Sequence, residues 1–147
     1  MSETTPQTYA NHSRIVPGYH WILTLVLLAS LGGAVTVLVR ALMRGSGRLS
    51  AAVLVLLVVA AIQLMWFVRI FPLKAQDRAI RAEENLRHVV LTGAPLDARL
   101  RVGQVVALRF ASDDELVELA KRAAEESLPP KAIKQAIRTW RADIHRV

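Results

Sequence analysis

The chain has 147 residues and no cysteine. That excludes disulfides, thiolate nucleophiles and Cys-ligated zinc or iron–sulfur centres, and is neutral about compartment. No glycine-rich phosphate loop occurs, and Ser30, Ser50 and Ser112 have no histidine and aspartate arranged beside them. His12, His20 and His145 are scattered and gain nothing from spacing. Acidic residues are almost missing from residues 1–71, where five arginines face one glutamate for a net charge of +4. Residues 72–147 carry fourteen Lys or Arg against eleven Asp or Glu, a net +3. This is a mixed surface with a mild basic excess, not a nucleic-acid stripe, and it suits anionic lipid head groups. No strand pattern, internal repeat or low-complexity tract is present, so the expected fold class is all-α.

What is present is two long apolar runs. From Trp21 to Val39 no residue is charged, and the same holds from Leu49 to Val68. Each matches the roughly 20 apolar residues needed to cross a bilayer core. A cleaved signal peptide competes for the first run. That run is longer than a signal core of about 7 to 15 residues and lacks a basic stretch immediately before it, which favours a span. Aromatic and basic residues stand at the borders: Trp21, Trp66, Arg69 and Lys74 at one interface, and Arg40, Arg44 and Arg48 in the turn. The expected organisation is a polar tail over 1–18 and a transmembrane hairpin over 19–71, with spans at about 20–40 and 49–71 joined by a basic turn at 41–48. A charged juxtamembrane helix at 72–93 and a small cytoplasmic helical domain at 94–147 follow. Lys and Arg number six on the side of both termini (Arg14, Arg69, Lys74, Arg78, Arg81, Arg87) against three in the turn. The bias puts both termini in the cytoplasm.

Pro72 lacks an amide hydrogen, so it either kinks a continuous helix or opens a new one. After it come charge pairs at helical spacing, Asp77 with Arg81, Glu83 with Arg87 and Glu84 with His88. The row Ala75, Ala79, Ala82, Leu86, Val89 follows the alternating 3 and 4 spacing of a packing seam. Gly93 and Pro95 end the helix. Farther on, Val105, Val106, Leu108 and Phe110 mark a short helical segment around Arg109. Ser112 and Glu115 form a capping box. Leu116, Leu119, Ala120 and Ala123 make one stripe of the next helix, and Pro129-Pro130 starts a last helix with Ile133, Ile137, Trp140 and Ile144 on one face.

Four separated blocks carry a family resemblance: Asn11 to Arg14 with Pro17, Ala75 to Arg87, Ala107 to Asp113, and Trp140 to Asp143. Together they resemble the short bacterial membrane proteins grouped as domain-of-unknown-function family 6526. The resemblance implies a bacterial inner-membrane protein with two spans and a helical tail. It implies no activity, cofactor or catalytic residue.

Candidate sites are accordingly contacts. Ala29 with Gly33, and Gly32 with Thr36, are small-xxx-small pairs suited to packing within the hairpin or between copies. Gln63 is the most polar side chain within either run and reads as an interhelical hydrogen-bonding group before a pore-lining one. Ala75, Ala79, Ala82 and Leu86 complete the set of packing or oligomer contacts. Glu84 and His88 have the spacing of two metal ligands, but a metal site needs three or four, and a solvated charge face is the expected reading. Arg109, among apolar residues, pairs with Asp113 or Asp114, caps a helix, or holds an anion or partner.

The expectation is a non-enzymatic protein without cofactor or metal. It self-associates or serves as an accessory subunit of a membrane-protein complex. A small homo-oligomeric channel built on Gln63 and the basic turn is one alternative, and a membrane-tethered module recruiting a soluble partner is another.

Overall fold

The computed structural model describes Thr8, Tyr9 and residues 16–143, and among them the chain is helical with no strand. Most of the expected polar tail, together with His12, Ile144 and His145, lies outside the described residues. After Pro17 a π-helical turn, Gly18–Leu23, runs directly into α1, Thr24–Arg44. Next come only three residues of turn. Gly45 and Gly47 sit at φ 74° and 72°, a conformation that a Cβ penalises. The basic turn is therefore shorter than the expected 41–48. Ala41, Leu42 and Met43 are good helix formers and nothing in them stops α1, so Arg40 and Arg44 belong to its end and Arg48 begins the next helix.

That helix, α2, spans Arg48–Thr92 and passes through Pro72 without a break. Of the two readings of Pro72 the continuous helix is the one found. The proline deprives the Val68 carbonyl of its usual donor, while the strong helix formers Leu73, Lys74, Ala75 and Gln76 that follow it carry the helix on. Phe67 and Phe71 stack one turn apart, centroids 5.3 Å from each other, just before it. The helix ends where expected: Gly93 takes φ 78° and its amide donates to the Val89 carbonyl at 2.7 Å.

The chain divides into two units, Arg14–Pro72 and a second built on Leu73–Val147. In the first, the Tyr19 hydroxyl donates to the Met65 carbonyl, joining the start of the first helix to the middle of α2. The least exposed positions are His20, Thr24, Leu27, Leu31, Ala34, Leu38 and Ala41 on one side and Ala51, Val55, Val58, Ile62 and Met65 on the other. Both rows step by 3 and 4, the narrow seam of two helices lying side by side.

The second unit packs the end of α2 with α3, Val102–Leu108; α4, Asp113–Glu125; and α5, Pro130–Ala136. Leu100, Val105, Leu108, Phe110, Leu116 and Ile133 are fully buried. Each contributes about 1.5–3 kcal/mol of hydrophobic stabilisation. The α4 stripe is inside as expected, with Leu116, Leu119, Ala120 and Ala123 all buried. Gln104 closes the far end of this core. Its Oε1 accepts from the Arg101 amide at 2.8 Å, and its Nε2 donates to the carbonyls of Ala123 (3.1 Å) and Leu128 (2.9 Å).

Two expectations are corrected here. Ser112 precedes α4 but its side chain makes no capping bond, and Glu115 does not reach back to it. Glu115 instead accepts from the amides of Arg138 (3.0 Å) and Thr139 (3.2 Å). That contact explains the second correction, a last helix that stops at Ala136. Ile137 turns to extended backbone, and the chain runs back along α4 to an isolated antiparallel bridge between Ala111 and Trp140. A carboxylate bonding two consecutive amides outcompetes another turn of helix carrying β-branched Ile137 and Thr139.

Candidate functional site

The polar centre of the second unit is built on the inward face of α2. Ile80, Glu84 and Arg87 lie three to four residues apart, so they share one side of the helix. Ile80 and Glu84 are buried, Glu84 only 5 % exposed. A buried carboxylate must be paired. Arg87 Nη1 donates to Glu84 Oε2 at 2.9 Å, and Arg141 Nη1 lies 3.6 Å from Glu84 Oε1. The same Arg87 donates through Nε to Asp113 Oδ1 at 2.6 Å and through Nη2 to the Ala111 carbonyl at 2.8 Å. One guanidinium thus joins α2 to the start of α4 and to the extended segment before it. Asn85 adds a further tie, its Oδ1 accepting from the Leu96 amide at 3.0 Å.

Beside this network Arg109 Nη2 meets Asp143 Oδ2 at 3.0 Å, and its guanidinium lies 4.6 Å from the centroid of the Phe110 ring. Phe110 in turn packs on Trp140 at 4.9 Å between centroids. The expected partners Asp113 and Asp114 are corrected to Asp143. Asp113 is engaged by Arg87, and Trp140, held by the bridge to Ala111, brings Asp143 to Arg109. A cleft of about 150 Å³ lies between Ile80, Glu83, Glu84, Arg109, Arg141 and Asp143. Two arginines and three carboxylates line it, so its charges largely compensate one another, and it is arranged to hold elements together.

The solvated reading of Glu84 is overturned by its burial. Glu84 and His88 do not converge either: His88 Nδ1 is bonded to the Ala94 carbonyl at 2.7 Å and to Thr92 Oγ1 at 3.2 Å. The sequence held one signal of this arrangement, since Ile80 is the lone large apolar residue among charges and shares a face with Glu84 and Arg87. Gln104, equally central, had no signal.

The contact residues expected from sequence fall elsewhere. Ala29 and Gly33 lie exposed on α1, away from the seam with α2. Gln63 is exposed too, lining an otherwise apolar cleft of about 320 Å³ with Thr24, Leu27, Ile62, Met65 and Trp66. Ala75, Ala79, Ala82 and Leu86 form an exposed row on α2. Trp21 and Trp66 are exposed near the Tyr19–Met65 bond, with Arg69 half-buried and Lys74 exposed beyond them. Arg40, Arg44 and Arg48 are exposed around the glycine turn.

This defines an all-α chain in which two helices are long and apolar enough to cross a membrane, followed by a small helical unit with its own core. The model of the family of unknown function DUF6526 matches residues 1–147, the whole chain, and the protein belongs to that family. No curated protein and no solved structure matches it.

Proposed function

We propose that this is a two-span membrane protein, a hairpin of α1 and the first part of α2, which works by association with its own kind and is not an enzyme. The observation that carries this reading is Gly32-Gly33. A Cβ at either position would meet no atom within 4 Å, so nothing among the described residues uses the space they leave. A glycine inside a helix costs about 0.8–1 kcal/mol relative to alanine. Together with Ala29 and Thr36 they give α1 a face on which a second backbone can approach closely, the usual basis of helix association in lipid. Thr36 adds no unmet polar group, because its hydroxyl bonds the Gly32 carbonyl at 2.8 Å.

Gln63 supports the same reading. An exposed amide on an apolar helix seeks a partner where water is absent, and a neighbouring copy supplies one. Leu25, Val26, Leu28, Leu56, Leu57 and Leu64 are all exposed, a surface suited to lipid and hostile to water. The span from Trp21 to Arg40 corresponds to roughly 28 Å of helix, close to a hydrocarbon core. The Lys and Arg distribution supports both termini on the cytoplasmic side and anionic lipids at the basic ends, and the family resemblance implies a bacterial inner membrane.

Native mass spectrometry of the protein extracted gently from its own membrane tests this. A defined homo-oligomer is expected. A clean monomer without companions overturns the proposal, and stable co-purification of other proteins replaces it with an accessory-subunit role.

A further inference from the structure

The part of α2 beyond Pro72 has two faces, and only one is covered. Ile80, Glu84 and Arg87 turn toward the helical unit, whereas Ala75, Ala79, Ala82, Leu86 and Val89 lie exposed on another side. Leu86 is 64 % exposed and its neighbour Val90 is 76 % exposed, large apolar surfaces with no cover among the described residues. The exposed row steps by 4, 3, 4 and 3, placing its members at the core positions of a two-stranded coiled coil. Arg78 and Glu83 then fall at the two flanking positions, both exposed; neither makes an ion pair among the described residues, although Glu83 also stands at the edge of the cleft with Arg109 and Arg141. In a parallel pair the flanking residue of one helix meets the residue five positions later on its partner. Five positions after Arg78 is Glu83.

We infer that a second copy of this chain packs in parallel on this face, with Ala75, Ala79, Ala82, Leu86 and Val89 as the seam and Arg78 of each copy paired with Glu83 of the other. The inference rests on the membrane reading above, since copies crossing one bilayer in the same sense present their α2 helices side by side in parallel. The alanines let the helices approach closely near Pro72, and Leu86 and Val89 fill the seam farther out. One symmetric contact satisfies both charges and hides the apolar row. The opposite face of the helix keeps its own unit.

The chain has no native cysteine, so single cysteines report directly on the full-length protein in its membrane. Ala79→Cys and Ala82→Cys should each form a homodimeric disulfide under mild oxidation, and Arg81→Cys, which points away from the seam, should not. Arg78→Glu or Glu83→Arg in the Ala79→Cys background should lower the cross-linked fraction several-fold. The double exchange Arg78→Glu with Glu83→Arg should restore it. Equal cross-linking from Ala79→Cys and Arg81→Cys, or no recovery in the double exchange, overturns the parallel register. An oligomer by native mass spectrometry that fails to cross-link at Ala79 overturns this inference and leaves self-association through the spans standing. A monomer removes both, and capture of a different protein at Ala79 replaces the second copy as occupant.

Discussion

Residues 16–72 and 73–143 are both largely helical, yet they hide different things. In the first, the buried residues are Ala34, Ala41 and Ala51, while leucines, valines and tryptophans face outward. In the second, Phe110, Leu108, Leu116 and Ile133 are fully buried and most charged side chains face out. A helix pair with this little interior gains almost nothing from burial within the chain. The second unit carries its own driving force. The two regions therefore differ in where their apolar area lies, inside the second and outside the first, and the same truncation should have opposite weight in each.

Phe110→Ala should be the most damaging single change. It empties a fully buried site under Trp140 and Arg109, and costs about 3–5 kcal/mol. Leu56→Ala removes a side chain of similar character from an exposed position of α2 and should stay within about 1 kcal/mol in the folded chain. Denaturant unfolding of the two variants in the same detergent compares them directly. A Leu56→Ala penalty as large as that of Phe110→Ala would mean the first unit has a core of its own, and the contrast would fail.

The buried network sharpens the same comparison for charge. Arg87→Met leaves Glu84 buried with only the longer Arg141 contact and strips the Ala111 carbonyl of its donor. It should cost about 3 kcal/mol. Arg81→Met, one turn away and exposed, should change stability by no more than about 0.5 kcal/mol. Gln104→Ala sits between these, removing three hydrogen bonds at once from a buried position. A loss of about 1–3 kcal/mol is expected, with faster amide exchange at the end of α4 as the local signature.

How much of this was legible follows from the same physics. Long uncharged runs, the Gly93 stop and the α4 stripe are local patterns, and local patterns survive translation into structure. The end of α1 lies later than the expected start of the turn at 41, because Ala41 to Arg44 remain helical and only the glycines at 45 and 47 turn the backbone. The last helix was overextended because the apolar spacing of Ile133, Ile137 and Trp140 fits a helix, and only the distant Glu115 carboxylate ends it. Arg109 was recognisable as needing a partner, but the choice of Asp143 over Asp113 depends on the Ala111–Trp140 bridge. The Glu84 network was misread because spacing reveals which residues share a face without revealing whether that face is covered. The spacing of Ala29 with Gly33 and of the Ala75 to Leu86 row marks them as contacts, and all of them are exposed.

The smallest effect belongs to the opposite extreme of the charged contacts. Asp97 and Arg99, on the exposed connector after α2, meet at 2.7 Å between Oδ2 and Nη2. The Arg99 side chain, and after it the Arg99 amide, hold the Asp97 carboxyl down from its ordinary 3.8 to about 2. A pKa depressed in the folded chain means that the pair stabilises when the carboxylate is ionised in both states, above about pH 4. The contribution then fades as pH falls from about 4 through 2. Because both groups stand in water, salt screens the pair and the effect is slight. Asp97→Asn should lower the unfolding midpoint only slightly above about pH 4 and converge with the parent as pH falls toward 2, with a difference that shrinks in high salt, whereas Arg87→Met should lower the midpoint strongly at neutral pH in any salt. If Asp97→Asn proved as costly at neutral pH as Arg87→Met, burial would not be what separates these two ion pairs.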